Sequence, residues 1–260
     1  MLKKLKFILI FLCLFLVVLS VVKDKTLDSP AAAYKKAKRL LQVAVTVGKA
    51  NDFTFKTRKI TYNVYFLSIF PVGKMHFLVK REQDEDIYSL QVTTVNSWIN
   101  RFIEADASVE THLDKESFLS RRYLEKTDVR GKVKTKEIVF DHNNLIAERD
   151  DVKMRIPEGI CDPVGAFVQA ITAVYVDQKV HEFKFLSKEK IYILKSSLYS
   201  EKNGLYELHL EMFREDSSSN HGARVHVWVT ADEGRIPLLF KSWMPAGYGS
   251  VVIDSIEIMD

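Results

Sequence analysis

The stretch Ile60–Arg81, "ITYNVYFLSIFPVGKMHFLVKR", contains two runs in which apolar residues occupy every second position. The first run extends from Ile60 to Val64, and the second extends from Met75 to Val79. Successive side chains of a β-strand point to opposite faces, so this spacing predicts two strands that each bury one face. The proline and glycine between the runs predict a turn, and therefore an antiparallel pair.

The same period of two continues through most of the 260-residue chain, with short turn sequences between the runs. The strongest turn signal is Asn203-Gly204, because both loop residues of a type I′ hairpin need a positive φ. We predict a mainly β protein, in which a large antiparallel meander curls into a half-open barrel or clam. The meander forms a single domain over residues 52–260.

The segment Val225–Asp254, "VHVWVTADEGRIPLLFKSWMPAGYGSVVID", combines a tryptophan-bearing strand, an acidic turn and a glycine-containing loop. Residues 232–234 are predicted to form a hairpin turn. Pro237 is predicted to begin the return strand, where a missing amide donor is tolerated. Gly247 and Gly249 are predicted to let the chain reverse direction before the last strand. We therefore interpret this segment as sheet architecture and not as a catalytic site.

Two segments have helical spacing instead. Residues 28–51 predict an amphipathic helix, whose basic face contacts either solvent or anionic lipid head groups. Residues 162–176, "DPVGAFVQAITAVYV", predict a second helix, which crosses the sheet. Asp162 is expected to cap this helix, and Pro163 is expected to occupy its first turn.

The N-terminal segment predicts export. Lys3, Lys4 and Lys6 precede an uninterrupted apolar run over residues 7–22, and a polar exit follows at Lys23. A basic front followed by an apolar run is typical of a secretory signal or an N-terminal membrane anchor. Residues 1–27 are therefore predicted to be one of these two, and the rest of the chain is expected in the periplasm. There it is either anchored in the inner membrane or released after cleavage.

The sequence carries little that predicts chemistry. The formal charge of +4 arises from 38 basic and 34 acidic residues of mixed order, so no nucleic-acid partner is expected. Cys161 is the single thiol outside the leader, and we predict a buried apolar role for it in preference to a nucleophilic one. His209, His221 and His226 could meet across a hairpin, but ordinary surface positions are expected. We predict no cofactor, no metal, no catalytic residue and no enzymatic activity.

Three stretches together resemble one protein family. They are "ITYNVYFLSIFPVGKMHFLV", "DPVGAFVQAI" and the closing "VWVTADEGRIPLLFKSW…GYGSVVIDSIEI". The chain from about residue 52 onward is similar to the DUF3108 domain of exported bacterial proteins. This resemblance implies an envelope location and a β-rich fold, and it transfers no activity and no catalytic residue. In shape, the predicted fold is more loosely similar to the half-open β shells that carry lipids or lipoproteins through the periplasm.

Large aromatic side chains are the remaining candidates for a site. The candidate ligand-binding residues are Tyr62, Trp98, Phe102, Trp228 and Trp243. Strands with bulky groups on both faces are either covered on both sides or line a cavity, so core packing and an apolar pocket both stay open. We predict a non-enzymatic cell-envelope protein that binds a lipid or lipoprotein in a concave β shell. The alternative is a structural or scaffold module that acts through a protein partner.

Overall fold

The computed structural model describes residue 35 and residues 57–66, 70–82, 84–94, 105–129, 131–177, 180–216, 223–231, 235–244 and 247–259. The predicted leader, residues 1–27, lies outside these ranges. So does the predicted amphipathic helix of residues 28–51, except for Lys35, which is helical. Within the described ranges, no helix is both long enough and apolar enough to cross a bilayer.

The described chain runs through eight strands, a helix and six further strands. The first eight strands are β1 (Thr57–Phe66), β2 (Phe70–Arg81), β3 (Glu85–Thr94), β4 (Ala105–Asp114), β5 (Ser120–Val129), β6 (Lys132–Asp141), β7 (Ile146–Arg149) and β8 (Val152–Arg155). Helix α1 (Pro163–Asp177) follows. The last six strands are β9 (His181–Ser187), β10 (Lys190–Lys202), β11 (Leu205–Arg214), β12 (Ala223–Thr230), β13 (Pro237–Met244) and β14 (Gly247–Met259).

All fourteen strands belong to one antiparallel sheet. Its order is β8-β7-β6-β5-β4-β3-β2-β1-β14-β13-β12-β11-β10-β9, so the first and last strands are neighbours at its centre. The two edge strands, β8 and β9, do not pair with each other, and the sheet is not closed into a barrel. The predicted mainly β antiparallel fold is confirmed. Helix α1 connects the two edges, as expected of a helix that crosses the sheet.

Turn residues set two of the hairpins. Asn203 and Gly204 have φ values of 55° and 73° between paired β10 and β11, which confirms the predicted type I′ turn. Asp150 and Asp151 adopt φ values of 49° and 64° between β7 and β8. The sequence pattern does not predict β8, because its four residues are too few to show a clear alternation.

The predicted role of the late glycines is wrong. β14 begins at Gly247, which pairs with Met244, and Gly249 pairs with Ser242 inside the ladder. Only residues 245–246 separate the two strands, and two residues are sufficient for a hairpin. The glycines therefore belong to the strand and not to the reversal. Pro237 does begin β13, as predicted, whereas the predicted turn at residues 232–234 lies outside the described residues.

The curved sheet buries its concave face against α1 and leaves a second, smaller apolar cluster on its convex face. Strand parity decides which side chains lie where, because alternate residues point to opposite faces. On β13, Phe240 joins the main core, whereas Leu239 packs with Val252, Tyr65 and Trp228 on the convex face. The concave face therefore contains the interior in which a ligand could bind.

Helix α1 is anchored by the carboxylate of Asp162, which is fully buried. One oxygen accepts the backbone N–H groups of Val164 (2.7 Å) and Gly165 (3.0 Å), as predicted for an N-cap. The other accepts the hydroxyls of Thr111 on β4 and Ser120 on β5. Burial raises the pKa of this carboxyl group, and the four donors oppose that rise. A single side chain thus starts the helix and ties it to two strands.

The segment before the helix also contacts the opposite edge of the sheet. The amide of Cys161 donates to the carbonyl of Lys184 (3.1 Å), and the amide of Leu186 donates to the carbonyl of Cys161 (2.8 Å). Both partners lie on β9, whereas the neighbouring Asp162 bonds to β4 and β5. The start of α1 therefore holds two distant parts of the sheet together, which curves the sheet around the helix.

Replacement of Asp162 by alanine should destabilise the protein by about 3 kcal/mol or more, because four buried donors lose their acceptor. Asp162→Asn keeps an acceptor for the helix amides, and its loss should be less than about half as large. Chemical denaturation of the full chain measures both values. Asp141 caps the amide of Asn144 (3.0 Å) at an exposed position, so Asp141→Ala is the matched control, with a loss of about 1 kcal/mol or less. Equal losses at the two aspartates would contradict the anchoring role.

Gly165→Ala should also destabilise, although alanine favours helix formation by about 1 kcal/mol. A Cβ at this position would lie 2.9 Å from the Ser120 hydroxyl oxygen and 3.1 Å from side-chain carbons of Cys161 and Leu113. Overpacking of a core costs about 1–3 kcal/mol, so the net change should be a loss. A higher denaturation midpoint in Gly165→Ala would show that α1 can move away from β4 and β5.

Candidate functional site

An apolar cavity lies between α1 and the concave face of the sheet. Its walls come from β1–β3 on one side, β10–β13 on the other, and the first turns of α1. The lining residues are Tyr62, Met75, Phe77, Leu90, Val164, Phe167, Leu194, Leu210, Met212, Ala223, Val225, Pro237 and Phe240. β14 lies between these two groups of strands in the sheet, so the cavity lies over the centre of the sheet.

The cavity is narrow. The centre of a water molecule can reach about 70 Å³ of it, and the empty space between the lining atoms, including the open mouth, is about 850 Å³. By the smaller value, the cavity has room for only a few water molecules. A space of this size fits one slender apolar group and not a bulky ring system.

The walls present no unpaired hydroxyl to a ligand. Tyr62 is the lining residue with a hydroxyl group, and that hydroxyl donates a 2.9 Å hydrogen bond to the carbonyl of Pro237. The side chain is 1% exposed, and its burial raises the pKa of the phenol well above the usual value. Its ring contacts that of Phe240 edge to face, with centroids 5.8 Å apart. Tyr62 therefore contributes its ring to the wall.

Partly exposed side chains mark the mouth of the cavity. Leu90 on β3, Phe167 on α1, and Met212, Ala223 and Val225 on β11 and β12 are lining residues that solvent reaches. Met212 and Ala223 are direct partners across the β11–β12 ladder. Methionine fills irregular space with little strain, so Met212 can adjust to what enters.

The residues predicted to bind a ligand do not form one cluster among the described side chains. Tyr62 lines the cavity, whereas Trp228 packs on the convex face. Trp98 and Phe102 lie outside the described residues. The backbone of Trp243 belongs to β13, and its side chain is outside the description. Most lining residues were missed because they are ordinary members of the alternating pattern. That pattern identifies the buried face of each strand but not where on that face a cavity lies.

A second group of side chains, which are titratable, lies on β5, β6 and the β9–β10 turn. Glu125 is 7% exposed and accepts a 3.1 Å hydrogen bond from the hydroxyl of Tyr123. The ammonium of Lys136 lies 5.5 Å from the centre of the Tyr123 ring, and burial lowers the pKa of this lysine. Burial also lowers the pKa of Lys188 to about 8. The negative charge of Glu125 raises the pKa of both lysines and so opposes the effect of burial. At the β9–β10 turn, Glu189 pairs with Arg149 at 2.9 Å.

Cys161 has the buried position that the sequence analysis predicted. Its exposure is 0%, and burial followed by the nearby Asp162 raises the pKa of the thiol well above its usual value. A thiol becomes a nucleophile when it loses its proton, so both effects oppose reactivity. Its sulfur lies 3.4 Å from the carbonyl oxygen of Lys184 as a weak donor. The contacts of Cys161 are those of a packing residue.

The family model of DUF3108, described as a protein of unknown function, matches residues 61–254. The chain belongs to the DUF3108 family. This match confirms the resemblance seen in the three sequence stretches, and it covers the whole sheet from β1 to β14 except its ends. No curated protein matches the DUF3108 chain.

Two solved structures are similar in shape. A β-barrel-like protein of the DUF1849 family from Brucella abortus has a TM-score of 0.60 at 9% identity, covering 79% of this chain and 99% of that one. A DUF1089 family protein from Pseudomonas aeruginosa has a TM-score of 0.38 at 11% identity, with 63% and 87% covered. The first supports a barrel-like fold for this DUF3108 protein, and the second is too distant to carry an argument.

Proposed function

We propose that this DUF3108 protein is a non-enzymatic protein of the cell envelope that binds a single apolar chain, such as the acyl chain of a lipid or lipoprotein, in the cavity under α1. The observation that carries the proposal is the composition of the walls. Thirteen side chains line the space, and the one hydroxyl among them is already bonded. Such walls stabilise hydrocarbon and offer nothing to a polar ligand.

The size of the cavity limits the ligand. Pockets for drug-sized molecules have about 300–1,000 Å³, and the space of about 70 Å³ that water reaches in this cavity is well below that range. The open mouth and the adaptable Met75 and Met212 allow a chain to enter end-on, with its polar head outside. Each methylene removed from water contributes about 0.8 kcal/mol, so even ten of them, most of which would lie along the open mouth, would contribute no more than about 8 kcal/mol. Micromolar affinity is therefore the tightest that we expect.

The proposed location rests on the sequence of residues 1–27. Their basic front and apolar run are typical of a secretory signal or an N-terminal anchor, and either one would put the sheet in the periplasm. Lipids at the membrane surface would then be available as ligands for a protein that binds one acyl chain. An anchored form would act on lipids of the inner membrane, and a released form would carry them.

Ala223→Trp should weaken binding of a fluorescent fatty acid by at least about tenfold, because the indole would fill the mouth beside Met212. The matched control is Arg224→Trp, one residue along β12 and on the convex face. The Arg224 side chain is 67% exposed, so its 2.8 Å ion pair with Glu211 contributes little, and the affinity should stay within about twofold. Titration of both variants and the parent chain, with native mass spectrometry for co-purified lipid, measures the effect.

Equal affinity of Ala223→Trp and the parent chain for the fatty acid would show that the ligand does not bind in this cavity. No binding of any lipid probe by a folded parent chain would overturn the proposal. That second result would favour the alternative function, a structural or scaffold module of the envelope that acts through a protein partner.

A further inference from the structure

A cluster of two histidines and a glutamate lies on the convex face, on the opposite side of the sheet from the cavity. Glu207 and His209 are two residues apart on β11, so their side chains share a face. His226 on β12 is the direct partner of His209 across the ladder. The third histidine considered in the sequence analysis, His221, lies outside the described residues.

The three side chains have the spacing of metal ligands. One Glu207 carboxylate oxygen, Oε1, lies 3.1 Å from Nδ1 of His226 and 3.6 Å from Nε2 of His209. All three ligand atoms lie within 4.8 Å of one another. Tetrahedral Zn²⁺ has bonds of about 2.0–2.1 Å to nitrogen and oxygen, which places its ligand atoms about 3.3–3.4 Å apart. Both measured distances are close to that value.

One nitrogen of the cluster has no hydrogen-bond partner. Nε2 of His209 is buried from solvent and lies 3.6 Å from the Glu207 carboxylate, which is too far for a normal hydrogen bond. The 3.1 Å hydrogen bond between Glu207 and His226 accounts for the other two groups and leaves this nitrogen unexplained. A buried polar atom without a partner is unfavourable, and a bound cation would supply the missing interaction.

Neighbouring side chains hold the ligands in place. The hydroxyl of Ser200 donates to Oε2 of Glu207 at 3.1 Å, which leaves Oε1 directed at the histidines. The ring of Tyr199 stacks on His209 with centroids 4.2 Å apart. In metal sites, contacts from neighbouring residues of this kind hold the ligands in the orientation that binding requires.

We propose that Glu207, His209 and His226 bind one divalent first-row transition-metal ion, with a fourth position open to solvent. Two imidazoles and one carboxylate suit Zn²⁺ and its neighbours, and Cu²⁺ should bind more tightly than Zn²⁺. Glu207 is 16% exposed, and the two histidines are 29% and 33% exposed, so the cluster lies at the surface of the convex face. This site is independent of the proposed lipid cavity.

Calorimetric titration of Zn²⁺ into the full chain, purified without a polyhistidine tag, tests the proposal. We expect one ion per chain at pH near 7.5, and an affinity lower by at least about tenfold in Glu207→Gln and in His209→Gln. Near pH 5.5 binding should be weaker, because protons compete with the metal ion for imidazole nitrogens. The same ion should raise the denaturation midpoint of the parent chain more than that of either variant.

His112 provides the matched control. Its Nδ1 lies 2.9 Å from Glu85 and its Nε2 lies 3.1 Å from Glu110, so it too lies between carboxylates. Among the described residues, no second histidine joins it in a metal-binding group. His112→Gln should leave the Zn²⁺ affinity within about twofold. Unchanged binding in Glu207→Gln and His209→Gln, or an equal loss in His112→Gln, would overturn the site. Ala223→Trp should bind Zn²⁺ as the parent chain does, so failure of the lipid proposal and failure of this one are distinguishable.

Discussion

The carboxylate of Asp162 is the contact on which the shape of this protein depends. It receives donors from β4, β5 and α1, while the adjacent Cys161 is paired through its backbone with β9. Four donors converge on a group from which water is excluded, so each is costly to leave unpaired. Fourteen strands in one open sheet could flatten or split. The buried Cys161–Asp162 segment bonds to β4 and β5 in one half of the sheet and to β9 in the other. These bonds keep the sheet curved around the fifteen-residue helix.

The cavity is a consequence of that arrangement. Close approach at Gly165 presses the first turn of α1 onto β4 and β5, where there is room for no larger residue. The other side of the same turn presents Val164 and Phe167 to β1–β3 and β10–β13, and there the walls diverge. The Phe167 ring reaches Phe240 at 5.9 Å but does not fill the space beyond it. An unfilled apolar space costs stability, and an apolar ligand would offset that cost.

The sequence was sufficient for much of the fold and for little of the site. Alternation identifies the strands, and Asp162-Pro163 marks the start of α1. The pairing of β1 with β14 joins residues almost 200 positions apart. Patterns within a short stretch of sequence do not predict such a pairing. Aromatic size pointed to Trp228 as a ligand residue, whereas Met75, Met212 and Ala223 line the cavity because of where their strands lie. A type I′ turn fixes the β10–β11 register, but the longer β11–β12 connection leaves the pairing of His209 with His226 open.

The period of two that produces the fold also separates its two proposed sites. On β11, Leu210 and Met212 face the cavity, whereas Glu207 and His209 face solvent on the other side. A slip of one residue in this strand would place the carboxylate in the apolar interior and the leucine outside. Burial of an unpaired carboxylate costs far more than one lost apolar contact, so the polar residues of the convex face strengthen the correct register. A metal ion across His209 and His226 would tie β11 to β12 in that same register, and so stabilise the wall of the cavity without touching it.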